Sequence, residues 1–164
     1  MALTIRPMTP DDREAVLAIY HEGIATGIAT LETAAPDWEQ WDATHKQDCR
    51  LVAEEDGRVV AWAALTSVSH RPCYRGVAEE TIYVAGDAQG RGVGRALMQR
   101  LVEASEREGY WTLQAAIFPE NEASIALHEA CGFRTVGMRQ GIGERAGRFH
   151  DILLMERRSS VVGP

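Results

Sequence analysis

Gln89-Gly90-Arg91-Gly92-Val93-Gly94 is the stretch on which the reading of this chain turns. These six residues stand between a strand-like run, Glu80-Thr81-Ile82-Tyr83-Val84, and an amphipathic helix pattern that starts near Arg91. Three glycines where a strand hands over to a helix let the backbone approach a ligand with no Cβ in the way. The helix that follows aims its unpaired N–H groups and positive dipole end at the same point, so the expected ligand is an anion, above all a phosphate. Two familiar phosphate loops do not fit. A P-loop requires Lys-Ser or Lys-Thr after its last glycine, whereas Arg95-Ala96 follows Gly94. A dinucleotide fingerprint requires Gly-x-Gly-x-x-Gly and an acid about twenty residues on, but the spacing differs and residues 110–113 hold no acid.

The flanking sequence supplies the rest of an α/β domain. Residues 3–6 read as a strand, and Thr9-Pro10-Asp11-Asp12 opens a helix whose apolar face carries Val16, Leu17, Ile19 and Tyr20. Residues 23–36 lack periodicity and suggest a flexible or ligand-facing connection. A second helix with Trp38 and Trp41 is expected over 37–47. Strands at 51–54 and 58–66 form a hairpin around Asp56-Gly57. A loop rich in His, Arg and Pro (67–77) leads into the strand that ends at Val84. The helix after the glycines carries Val93, Leu97, Leu101 and Ala104 on one stripe and stops by Gly109. A strand at 112–118, a helix at 121–131 with an Asn cap and Gly132 as its stop, and strands at 133–136 and 149–155 complete the domain. Residues 1–158 form a single unit by this reading, and 159–164 are expected to be a frayed tail.

Composition narrows the classes of function. The chain has 164 residues, and 17 basic against 24 acidic side chains give a net charge of −7, which argues against a nucleic-acid partner. Cys49, Cys73 and Cys131 are odd in number and lack metal-ligand spacing, so they read as reduced thiols and no metal is implied. The first residues show no signal-peptide core and no apolar run reaches about 18 residues, so a soluble cytoplasmic protein without a membrane partner is expected.

Taken together, the strand, Gln89-x-x-Gly92-x-Gly94 opening a helix, Asn121-x-x-Ser124-x-x-Leu127 and Gly132-Phe133 resemble the GNAT superfamily of N-acetyltransferases. Tyr74-Arg75, Ala78-Glu79, Val84, Phe118-Pro119-Glu120-Asn121, His128-Glu129 and Phe149-His150-Asp151 are similar, more closely, to its phosphinothricin/methionine sulfoximine (sulfone) acetyltransferase group. The resemblance implies a mixed, mostly antiparallel central sheet of six or seven strands flanked by about four helices. It implies acetyl-CoA as cosubstrate, with Gln89, Gly90, Arg91, Gly92, Val93 and Gly94 at its pyrophosphate and Ile82, Tyr83 and Val84 beside its thioester. Asn121 and Ser124 would meet the pantetheine arm, and a homodimer is the usual assembly of the group.

The residues themselves assign chemistry beside this resemblance. Acetyl transfer to an amine needs the free base, and neutralising a Lys-like ammonium near neutral pH costs roughly 4 kcal/mol. A carboxylate whose pKa is raised by partial burial can take that proton. Period-two alternation puts Glu79, Thr81 and Tyr83 on one face and Glu80, Ile82 and Val84 on the other. Glu79 matches the group's glutamate and is the expected general base, with Glu80 its rival. Helical spacing places Asn121, Ser124 and His128 in one polar sector, with Ala123, Ala126, Leu127 and Ala130 on the opposite, core-facing side. His128 stands where many GNAT enzymes carry a tyrosine acid, so it is either the acid for the leaving thiolate or an orienting group. Arg71, Tyr74 and Arg75 suit a carboxylate clamp, Arg by its bidentate fork, and Leu31 is expected on the other wall of the substrate pocket. The expected reaction is acetylation of a small amino acid analogue of the methionine sulfone/sulfoximine or phosphinothricin type, with detoxification as the role. The alternatives are a protein or peptide N-acetyltransferase and a non-catalytic acyl-CoA-binding sensor.

Overall fold

In the computed structural model, which describes residues 2–164, the chain runs β1 (Leu3–Pro7), α1 (Arg13–Ala25), α2 (Trp38–Thr44), β2 (Leu51–Glu55), β3 (Arg58–Ser67), β4 (Val77–Val84), α3 (Val93–Arg107), β5 (Thr112–Ile117), α4 (Glu122–Ala130), β6 (Arg134–Arg145) and β7 (Arg148–Arg158). The strands form one seven-stranded sheet in the order β1-β2-β3-β4-β5-β7-β6. Every neighbouring pair is antiparallel except β4 and β5, which run parallel. This is the mixed, mostly antiparallel sheet with four α-helices that the sequence led us to expect.

The parallel pair is short. β4 and β5 are in register only from Val77 opposite Thr112 to Glu79 opposite Gln114. Beyond that rung β4 follows β3 as far as Val84, while β5 follows β7 to Ile117. The sheet therefore opens into a fork at its centre, with Glu79 and Gln114 at the crotch.

The two faces of the sheet are filled by different elements. Trp62 and Tyr83 are register partners on β3 and β4 and share a face. Tyr20 from α1 packs on both rings, with centroids 5.8 and 5.1 Å away, and Trp41 from α2 meets Trp62 edge-on at 5.4 Å. Leu65, of opposite parity on β3, belongs to the other face, where α3 contributes the fully buried Leu97, Met98 and Leu101. The expected helical stripe of Val93, Leu97 and Leu101 is thus the buried side of α3.

Several expectations change. The second helix ends at Thr44, because His45 has extended backbone. The last hairpin is far longer than the two short strands expected, turning at Ala146-Gly147 with φ of 52° and 78°. Two consecutive positive φ angles are what a two-residue hairpin turn needs, yet Ala is a poor advertisement for it. Helix α4 is rotated relative to its sequence reading: Ala123, Ala126 and Ala130 are exposed, while His128 is buried. A residue-type rule fails there because the histidine has a buried partner, described below. Residues 159–163 fold back rather than hang free: Arg158 donates to the carbonyls of Ser159, Val162 and Gly163, and Ser159 N–H donates to Trp111 O (2.8 Å).

Trp62 has no exposed surface and touches α1, α2 and β4 together. Trp62→Ala should lower the unfolding free energy by about 3–5 kcal/mol in a urea titration. A loss below about 1 kcal/mol would mean that the aromatic layer is not what joins α1 and α2 to the sheet.

Candidate active site

The free edge of β4 is the first element of the site. Ala85 N–H donates to Val60 O on β3 (2.8 Å). Alternation along an antiparallel strand then turns the N–H and C=O of Val84 and Ile82 to the other edge, which borders the fork. Gln89 Nε2 donates to Val84 O at 3.2 Å, tying the glycine turn to that edge. Tyr83 points its backbone to β3 and its ring into the aromatic layer, where burial raises its phenol pKa. Of the three residues expected beside the thioester, Ile82 and Val84 face the fork and Tyr83 is packing.

The glycine turn supplies the second element. Gly92 is the N-cap of α3 with φ 82°, a left-handed conformation that a side chain would strain. It brings no side-chain cap, and the first turn of α3 has no acid. The N–H groups of a fifteen-residue helix are therefore open at the end of β4. Gly94 lies against both walls: a Cβ there would sit 3.4 Å from Val84 and 3.3 Å from Leu127 of α4. Val93 is buried beneath the turn. Gly90 and Gln89 are exposed on it. Arg91 is exposed on the turn as well, and its guanidinium binds the Glu55 carboxylate in two bonds of 2.9 and 3.2 Å. A hollow of about 490 Å³ beside that pair is lined by Glu55, Asp56, Arg58, Asp87 and Arg91, outside the fork. Both of its arginines are paired, Arg58 with Asp87 and Arg91 with Glu55, and Asp56 adds a third acid.

The two glutamates of β4 take separate places. Glu79 is partly exposed at the crotch, and Gln114 Nε2 donates to its Oε1 at 3.0 Å. Glu80, on the opposite face, is buried and makes a very close contact to His128 Nε2. His128 Nδ1 lies 2.6 Å from Ser124 O. A carbonyl only accepts, so Nδ1 carries a hydrogen, and Nε2 faces the Glu80 carboxylate. Burial on its own would lower the His128 pKa, but the Glu80 charge and hydrogen bond, with the Ser124 carbonyl, outweigh it and leave the value raised above 6.5. Phe133 closes the ring in edge-on at 5.0 Å. Glu80 Oε2 has no hydrogen-bond partner. The polar sector expected on α4 is thus divided. Asn121 caps the helix by accepting from Ser124 N (3.2 Å), and its Nδ2 donates to Ile28 O at 3.3 Å. Ser124 is half-buried beside it, and His128 is turned inward.

The basic loop lies directly before β4. Arg71 stacks on Tyr74 at 5.6 Å and Arg75 on the half-buried Trp111 at 5.4 Å, with both arginines and Tyr74 exposed. Leu31 is in the long connection between α1 and α2, where Arg145 of β6 donates to Thr30 O and Gly27 O, each at 3.0 Å. Gln114 and Arg145 escaped the sequence reading. A glutamine inside an otherwise apolar strand was a usable signal for the first, and nothing local marked the second. Among the described residues, no three His, Cys, Asp or Glu side chains converge as metal ligands. No helix among them is long and apolar enough to cross a membrane.

Comparison with known proteins agrees with this geometry. The family model described as the acetyltransferase (GNAT) family matches residues 15–133. The phosphinothricin N-acetyltransferase of Alcaligenes faecalis is 36% identical, over 95% of this chain and 82% of its own length. The L-methionine sulfoximine/L-methionine sulfone acetyltransferase of Pseudomonas paraeruginosa is 30% identical, over 95% and 94%. Among solved structures, a ribosomal-protein-alanine N-acetyltransferase from Brucella melitensis has a TM-score of 0.86 at 33% identity, covering 95% of this chain and 99% of that one. A phosphinothricin acetyltransferase from Sinorhizobium meliloti, solved in complex with acetyl-CoA, has a TM-score of 0.84 at 28% identity, covering 100% and 97%.

A folded-state value raised above the unfolded one means that the stability supplied by His128 is full below about pH 6.5 and is lost as pH climbs through the folded value. Wild-type urea midpoints should therefore fall as pH rises above about 6.5 more steeply than those of Glu80→Gln, in which only the Ser124 carbonyl opposes burial at the ring. Parallel curves would mean that Glu80 does not raise the His128 pKa.

Proposed function

Since the chain belongs to the acetyltransferase (GNAT) family, we propose that it transfers the acetyl group of acetyl-CoA to the amine of a small amino acid analogue, with Glu79 as general base. The observation that carries this reading is the fork: a strand edge with free N–H groups at Ile82 and Val84 leads to an uncapped helix start, and Glu79 stands at its crotch. These parts fit the coenzyme's two ends. The helix start suits its pyrophosphate, with Gln89, Gly90, Arg91, Gly92, Val93 and Gly94 as the turn. The strand edge suits the pantetheine amides, and a Val84 or Ile82 N–H would polarise the thioester carbonyl. Asn121 and Ser124 border the same arm.

The amine enters from the face shared by Glu79, Thr81 and Tyr83, which the connection carrying Leu31 also borders. Glu79 takes a proton from the ammonium, the freed lone pair forms the C–N bond, and the C–S bond breaks to release the thiolate, which takes up the second proton that the nitrogen loses as the amide forms. Glu80 lies on the opposite face with its carboxylate on His128, which favours Glu79 as the base. Both His128 nitrogens are engaged, which supports an orienting role for it between β4 and α4. Arg71, Tyr74 and Arg75 would hold the substrate's carboxylate or oxo group. The relatives' named substrates suggest methionine sulfone, methionine sulfoximine or phosphinothricin as the acceptor, and our reading of the role is detoxification in the cytoplasm. A homodimer fits as well, since β6 is an outer strand whose hairpin exposes Met138, Ile142 and Phe149.

Likeness to the Brucella enzyme favours a second reading, acetylation of a peptide N-terminus. Thiol release from acetyl-CoA should therefore be measured with L-methionine sulfone, L-methionine sulfoximine, L-phosphinothricin and a peptide with a free N-terminal alanine. Turnover of the amino acids is expected, with kcat/KM lowered about 10²- to 10³-fold in Glu79→Gln and acetyl-CoA affinity unchanged. Turnover of the peptide alone would transfer the assignment to the second reading. Coenzyme binding without thiol release on any amine would leave an acyl-CoA sensor. Sedimentation should give twice the chain mass, and Phe149→Glu should reduce it to one.

A further inference from the structure

Residues 26–37, between α1 and α2, have no regular structure. Past the end of α1, at 28–36, they form no backbone–backbone hydrogen bond to any other part of the fold. A stretch of this length loses much conformational freedom when ordered, so something must hold it. Three donors do. Asn121 Nδ2 reaches Ile28 O at 3.3 Å, and Arg145 alone reaches both Thr30 O and Gly27 O at 3.0 Å. The Arg145 guanidinium is itself fixed over the buried Phe118 ring, 5.4 Å from its centroid.

Two residues before Arg145, and hence on the same face of β6, is Gly143. Leu31 is seated there: a Cβ on Gly143 would fall 2.1 Å from Leu31 Cδ1. The strand is irregular just upstream, its register shifting between Arg139 and Gly143, and such irregularities re-aim the residues that follow. Gly143 lies outside the left-handed backbone region, so its use here is the space it leaves. Ala in its place adds one methyl, and what must yield is the flexible end of Leu31.

We propose that Gly143 and Arg145 of β6 are specificity-determining positioning residues, which set how far Leu31 projects into the acceptor-amine pocket. The claim rests on the reading of Leu31 as a wall of that pocket. Arg145 holds the backbone on either side of residues 28–29 at a fixed height, and Gly143 supplies the socket for the Leu31 methyl. Gly143→Ala turns Leu31 out of its socket and changes the size of amine accepted, while the coenzyme half of the fork, built from β4 and α3, is untouched.

The test compares kcat/KM for L-alanine and L-methionine sulfone in wild type, Gly143→Ala, Leu31→Ala and the double variant, with the acetyl-CoA KM measured alongside. Gly143→Ala should shift the ratio of the two amines by about tenfold, the usual worth of a methyl group in an apolar pocket. The acetyl-CoA KM should not move. In the Leu31→Ala background the same substitution should have no further effect on the ratio, because the side chain through which it acts is gone. An unchanged ratio, or an equal shift in both backgrounds, would overturn the proposal. Backbone amide exchange at residues 28–33 reads the brace independently of turnover. Arg145→Ala should accelerate it about tenfold, the equivalent of one hydrogen bond to a charged group, with Arg145→Lys intermediate and exchange in α3 unaltered. No acceleration, or a matching rise in α3, would also overturn it. If the wild type acetylates neither amine, the function reading fails and takes the specificity claim with it, and the exchange result shows whether the brace itself stands.

Discussion

Everything at this site depends on one break in hydrogen bonding. β4 and β5 run side by side for three rungs and then separate after Glu79 and Gln114, each held by its other neighbour. A strand edge inside a sheet normally spends its N–H and C=O groups on the next strand, and leaving them unpaired in a protein interior is costly. The fork leaves the N–H groups of Ile82 and Val84 available to a ligand. The same parting delivers the end of β4 to the glycine turn and the open start of α3, so strand edge and helix dipole act on one extended molecule.

The alternation of β4 then sorts the chemistry. Two adjacent glutamates must point to opposite faces. One of them, Glu79, remains partly exposed at the crotch with Gln114 as partner, on the face that the α1–α2 connection borders. The other, Glu80, is enclosed with His128 under α4, where a buried carboxylate needs a partner and the ring provides one. Proton acceptance and structural anchoring thus sit one residue apart without competing.

Much of this could be read from the chain. The glycine turn, the Asp56-Gly57 hairpin, the α3 stripe and the Asn121 cap are local signals with local causes, and each lies where the sequence put it. What stayed hidden depends on partners distant in sequence. His128 looks like part of a polar face until Glu80, 48 residues earlier, is placed against it. Arg91 gives no sign in the sequence of its ion pair with Glu55, 36 residues away. Arg145 gave no signal, since a carbonyl 115 residues away leaves no pattern beside it. The length of β6 was missed for another reason: Gly137, Gly141 and Gly143 break its alternation, and its polar exposed surface gives no apolar periodicity.

The measurement that bears most directly on the fork is residue-resolved amide exchange of the free protein against the protein saturated with acetyl-CoA. Slowed exchange at Ile82 and Val84, together with the first turn of α3, is the expected result, because those N–H groups would then have partners. Unchanged exchange at Ile82 and Val84, with protection instead around the hollow lined by Glu55 and Arg91, would contradict the account and move the coenzyme out of the fork.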